Sequence, residues 1–171
     1  MGRLKIFAAE KGTAMTLPEA MRYLSKSRSN LLLGTVDEEG DPNIHAVWYY
    51  FDPSGARLYF ITAKDSRKAR NVRRRKTVYF NVDDDRSYRL QGVRGKGLAR
   101  LVTDEGSAMS LTMKLLARYV KPKDALIRET ADLVASGDSL VVEIAPKYLT
   151  TWDYRKLPPK VLKGRRESAL L

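Results

Sequence analysis

"LYFITAKDSRKARNVRRRK", residues 58–76, passes without a break from an aromatic and β-branched run into eight basic side chains opposed by one acid, Asp65. The first part reads as a strand ending at Thr62. Beyond Ser66, Ala69 and Val72 fall at helical spacing, so a short helix is expected from about Ser66 to Arg74, before "TVYFNV" (77–82) returns to strand.

The start of that helix is electrostatically unusual. A helix N-terminus already carries partial positive charge, and Arg67 and Lys68 in the first turn add to it unless an anion is present. Thr62, Ser66 and the free backbone N–H groups there suit a phosphate, with Arg67 and Lys68 neutralising it. A plainer reading stays open: Ser66 or Asp65 is an N-cap, and the bases form a solvated face around Ala69 and Val72. Arg73, Arg74, Arg75 and Lys76 lie a further turn or two along, too far for all of them to reach one phosphate.

Upstream, "LPEAMRYLSKS" (17–27) places Leu17, Ala20, Met21 and Leu24 on one helical face, with Pro18 suited to a first turn. "NLLLGTV" (30–36), "NIHAVWYYFD" (43–52) and "ARLYFIT" (56–62) read as three strands joined by tight hairpins at "DEEGDP" and "PSG". In the second strand His45, Val47 and Tyr49 share one face and Ala46, Trp48 and Tyr50 the other. That alternation fits barrel packing with a wet outer face, and equally a strand that supports a flat heterocyclic ligand.

Downstream, "DDDRS" (83–87) reads as a turn rather than a cation site, and "YRLQGVRGKGLARLV" (88–102) as a long bent strand with an antiparallel neighbour and bulge-forming glycines. Two helices are expected within 105–135, through Met109, Met113 and Leu116 and then Leu126, Ala131, Leu133 and Val134, interrupted at Pro122. "SLVVEIAPKYLTTWDY" (139–154) is a final strand pair or one bent strand, followed by a basic tail over 156–171. Short hairpin strands with helices at defined points indicate one domain, residues 1–171, that is mainly β with α additions: an antiparallel barrel with peripheral helices.

The 171 residues carry a net charge of +12, with 43% hydrophobic and 30% charged side chains, which suits a soluble domain with an anionic partner. No apolar run approaches the roughly 20 residues that span a bilayer, and "MGRLKIFAAEKG" shows no signal core, so a cytoplasmic protein without a membrane partner is expected. The absence of cysteine excludes disulfides, thiolate catalysis and cysteine-ligated metals. His45 is the single histidine, which weighs against a multi-histidine metal site, and no metal is expected.

Two other motifs fail on inspection. "RGKGLARLV" (94–102) lacks the aromatic rings that stack on bases in RNA-recognition sheets, with Lys96, Leu98 and Leu101 in their places. Gly92, Gly95 and Gly97 give G-x-x-G-x-G, which is not the dinucleotide fingerprint. Nucleic acid is therefore not the expected partner.

Taken in order, "LLLGTVDEEGDPNIHAVWYYFD", "LYFITAKDSRKARNVRR", "TVYFNVDDD", "LQGVRGKGLARLV" and "YLTTWDY" resemble the pyridoxamine 5′-phosphate oxidase-like, flavin-binding split barrels, especially their flavin/deazaflavin oxidoreductase branch, over roughly residues 17–155. The resemblance implies a split antiparallel β-barrel with a cofactor at a homodimer interface. Its phosphate would be held by Ser66, Arg67 and Lys68, with Thr62 and Ala63 beside it. The ring would lie along His45, Ala46, Val47, Trp48 and Tyr49, with Gln91 and Trp152 reaching it from the same or the partner chain. The expected cofactor is FMN; the alternative is the deazaflavin coenzyme F-420, whose longer acidic tail would use Lys64, Arg70, Arg73 and Arg74.

The basic substrate-phosphate residues of the true oxidase are not recognisable near the C-terminus, so the expected activity is hydride or electron transfer to another small-molecule substrate. No catalytic residue is assigned, because such a cofactor carries the reactive atom. A non-catalytic module that binds nucleic acid, or that stores or senses a cofactor, is the alternative of another class.

Overall fold

A computed structural model describes residues 4–84 and 90–158. Asp85 and the rest of the expected turn to residue 87 lie outside the described residues, as does the expected tail from residue 159. The strands are β1 (Lys5–Ala8), β2 (Leu31–Val36), β3 (Pro42–Val47), β4 (Tyr50–Asp52), β5 (Arg57–Ala63), β6 (Thr77–Asp84), β7 (Gln91–Leu101) and β8 (Ser139–Asp153). The helices are α1 (Leu17–Lys26), α2 (Arg67–Arg74), α3 (Glu105–Tyr119) and α4 (Ala125–Ala135), and a 3-10 turn follows at Tyr154–Lys156.

The sheet runs β3-β2-β6-β7-β8-β5-β4, every neighbour antiparallel, with β1 added parallel to β8. The expected strand 43–52 is therefore two. Its halves pair at opposite ends of the sheet, β3 with β2 and β4 with β5, and the extended link at Trp48–Tyr49 carries the chain from one edge to the other. Inward alternation survives the crossing, because Val47, Tyr49 and Phe51 are all buried. This crossing curls the sheet into a split barrel, and the fold is α+β as expected.

Strand β7 pairs with both β6 and β8 and is bulged between Lys96 and Gly97. A Cβ at Gly97 would stand 2.7 Å from Ile144 Cγ2, so the close approach itself requires glycine. Strand β8 is one bent strand of 15 residues, and β6 extends through Asp84 by pairing Asp83 with Gly92 and Asp84 with Gln91.

The barrel interior is filled by Leu31, Leu33, Leu58, Phe60, Phe80 and Ile144 among others. Helix α1 closes one end with Ala20 and Leu24, after a complete capping box between Thr16 and Glu19. Its C-terminal carbonyls are satisfied from α3: Arg118 donates to the carbonyls of Leu24, Ser25 and Ser27 while its guanidinium lies 5.0 Å from the Tyr49 ring centroid. A second cluster, Tyr59, Ala108 and Val141, seats α3 on the outside of β5 and β8. Beneath α3, Glu143 is buried and accepts from Tyr59 and bidentately from Arg100. Burial and that carboxylate push the Tyr59 hydroxyl up to about 12.

Candidate functional site

Ser66 caps α2, its Oγ accepting from the Ala69 N–H at 3.2 Å, and Thr62 Oγ1 lies 2.7 Å from the same oxygen. The end of β5 and the start of α2 are thus tied by two hydroxyls, one buried and one half-exposed. The remaining N–H groups of the first turn have no intrahelical acceptor.

Among the four helices, α2 differs in charge at this end. Helices α1 and α3 carry Glu19 and Glu105 in the first turn, α3 and α4 begin on Asp104 and Asp124, and α2 has no acid there. Neither Arg67 nor Lys68 forms an ion pair among the described residues. Arg67 is close enough to the Asp37 carboxylate to lower its titration, which leaves Lys68 as the cation without an acid partner on the positive helix terminus, an arrangement that an anion relieves.

That terminus opens onto a cavity of about 530 Å³. Ala46, Val47 and Trp48 of the barrel-closing crossing form one side, and Thr62, Ala63, Ser66 and Lys68 another. Leu115 and Leu116 of α3, with Leu126 of α4, supply an apolar wall that sequence alone did not assign to a site, and Thr130 of α4 adds a hydroxyl beside it. The Trp48 indole is 41% exposed and stacks on Tyr119, with centroids 4.8 Å apart and planes 4° apart. The volume is in the ~300–1,000 Å³ range of small-molecule sites, and apolar side chains share the lining with Asn30, Thr62, Ser66, Lys68 and Thr130.

Seven of the residues anticipated from sequence thus meet around one cavity. The other five are placed elsewhere. Arg67 points to the far side of the helix and donates to Asn43 Oδ1 at 3.1 Å. His45 is half-buried behind the site, its Nε2 3.0 Å from Thr35 Oγ1, which also accepts from buried Asn71 at 2.9 Å. Burial, and then the Lys68 and Arg67 charges, hold His45 below its ordinary value, so the ring is neutral at pH 7. The Tyr49 side chain is wholly buried and donates to the Leu24 carbonyl, and its carbonyl accepts from Tyr119. Gln91 lies near α1, donating to Asp153, and Trp152 lies on the outer sheet face beside Ile44 and Tyr79.

The later bases are held locally. Lys64 pairs with Asp138 at 2.6 Å, Arg74 with Glu38, Arg70 donates to the Asp65 carbonyl and Arg73 to that of Lys64. Among the described residues no cluster of three or more His, Asp or Glu side chains could hold a metal, and no helix is long and apolar enough to cross a membrane.

Residues 17–153 match the family model described as pyridoxamine 5′-phosphate oxidase, and the chain belongs to that family. A search of curated proteins finds no match. Among solved structures, a conserved hypothetical protein of Mycobacterium tuberculosis is 26% identical, with a TM-score of 0.74 over 87% of this chain and 92% of that one. An F-420 reductase is also 26% identical, with a TM-score of 0.59 over 78% of this chain and 98% of that one. The heme storage protein of Vibrio cholerae shares the fold at 18% identity, with a TM-score of 0.63 over 81% of this chain and 96% of that one.

Proposed function

We propose that this member of the family is a flavin-binding oxidoreductase that anchors FMN by its phosphate at the N-terminus of α2 and passes hydride or electrons to a small acceptor. One observation carries the reading: the acid-free first turn of α2 and the hydroxyls of Thr62 and Ser66 open onto the same cavity as the Trp48 crossing. The donor set suits a phosphate monoester, and the apolar wall from α3 and α4 suits a flat ring.

When bound, the isoalloxazine supplies the redox chemistry. The chain's own work is then to hold the phosphate through Ser66 and Lys68 and to bound the ring site with Val47, Leu115 and Leu116. Lys68 is the ionisable side chain among the cavity's lining residues, so no acid–base pair is assigned. Oxidation of pyridoxamine phosphate is not proposed, and the acceptor is another small molecule.

A second reading, with coenzyme F-420 in the same cavity, is supported by the likeness to an F-420 reductase and by the basic run along α2. Local partners already hold Lys64, Arg70, Arg73 and Arg74, which favours the shorter cofactor.

The outer sheet face completes the proposal. Ile44 is 76% exposed and lines a groove of about 730 Å³ with Leu32, Tyr79, Tyr148 and Trp152, which Asn81 and Arg94 also border. A homodimer through this face would bury it and set Trp152 at the subunit boundary.

Titration of the apoprotein with FMN and with F-420, read by cofactor fluorescence, tests the reading. Saturable FMN binding supports it; F-420 binding alone selects the second reading. Failure of both, together with nucleic-acid binding that falls steeply with salt, would replace the enzyme with a binding module.

A further inference from the structure

Helix α2 separates two spaces. Lys68 faces the cavity, whereas Arg67, the preceding residue, lines a groove of about 500 Å³ on the other side. The arginines of α2 form one wall of that groove, and the carboxylates of the β2–β3 turn, Asp37 to Glu39, form the other. The groove begins at Arg67, the first residue of α2, which lies between Ser66 and Lys68 of the anchor in sequence, so further anionic groups of a long cofactor leaving the helix N-terminus on that side would meet it. Here the protein has set its own acids in that position.

The turn is built to hold them there. Asp37 Oδ1 accepts from the Asp41 N–H at 2.8 Å and Oδ2 from the Asn43 amide at 2.8 Å, while Gly40 takes a φ of +98°. The Asn43 oxygen in turn accepts from Arg67, which ties the turn to the first residue of α2. With Asp37 committed to the turn, Glu38 pairs with Arg74 and Glu39 lines the groove.

We propose that the acidic β2–β3 turn sets cofactor choice: Glu38 and Glu39 occupy the groove beside the phosphate anchor with negative charge, and so disfavour ligands whose charge continues past the first phosphate. The proposal rests on the phosphate reading above and adds a determinant of specificity to it. Its basis is like-charge repulsion within a Debye length, together with competition for Arg74.

The test compares FMN with coenzyme F-420 bearing a polyglutamate tail, on the wild-type protein and on the double variant Glu38→Gln, Glu39→Gln, by cofactor fluorescence at low and physiological salt. A matching thermal melt shows that the variant is folded. At low salt, F-420 affinity should rise about threefold to tenfold in the variant while FMN affinity changes less than twofold, with the difference shrinking at higher salt. An unchanged ratio of the two affinities overturns the inference and leaves the phosphate reading standing, as does an equal gain for both. Absence of binding by either cofactor to either protein overturns both.

Discussion

Thr62 Oγ1 and Ser66 Oγ, four residues apart on different elements, stand 2.7 Å from one another at the mouth of the cavity. The pair fixes the angle at which β5 hands over to α2, and it places two hydroxyls beside first-turn N–H groups that have no intrahelical acceptor. Ser66→Ala removes the cap and one phosphate donor together. It should cost about 1 kcal/mol in a urea unfolding curve and weaken FMN binding in the same preparation.

Lys68 separates function from stability more cleanly. Its charge opposes the helix dipole, so Lys68→Gln should leave the apoprotein as stable as wild type or up to about 1 kcal/mol more so, while FMN affinity falls. Paired melting and titration curves check this. A loss of both together would make Lys68 a packing residue.

His45 reports on the same site. Burial and the Lys68 and Arg67 charges lower its folded value, so the unfolded chain takes up the proton first as pH falls through about 6.5. Its contribution to stability is therefore complete above that pH and declines as the solution is acidified. A bound anion should offset the two cations and raise the His45 midpoint, which the resonances of the single histidine will show directly by NMR with and without FMN.

Arg118 is a prediction about the scaffold. Its guanidinium supplies donors to three carbonyls at the end of α1 and covers Tyr49. Arg118→Met should destabilise by about 1–3 kcal/mol by leaving carbonyls unpaired, and Arg118→Lys should restore only part of that, because a point charge cannot fork to three acceptors.

Gly92 lies under the Trp152 indole, and an added Cβ would stand 2.1 Å from Cζ2. Gly92→Ala must displace the ring from the outer face. If that face joins two copies, sedimentation velocity should show a weaker dimer and tryptophan emission should shift to the red.

The strand and helix periods made most elements legible, including α2 and its Ser66 start, the two helices after β7, and the bend in β7. Four features were not. The alternation of "NIHAVWYYFD" is unbroken, so nothing local reveals that Trp48–Tyr49 crosses from one sheet edge to the other; only the pairing of β3 and β4 with different partners does. Strand β1 is four residues long with Phe7 half exposed, too short and too wet to show a pattern. Leu115 and Leu126 read as ordinary helix residues, and their place in the cavity wall depends on how α3 and α4 pack. In the candidate site, the basic first turn of α2 was legible because charge at a helix terminus is a local property. The acidic turn opposite α2 was not, because 36 residues separate Glu38 from Arg74.

If the N-terminus of α2 holds the phosphate of a flavin, the preference for FMN over riboflavin, which lacks the phosphate, will differ between wild type and the variant Ser66→Ala, Lys68→Gln. Wild type should bind FMN at least about tenfold more tightly than riboflavin, and most of this gap should close in the double variant while riboflavin binding is unchanged. Equal binding of the two ligands by wild type, or a gap that survives the double substitution, would contradict it.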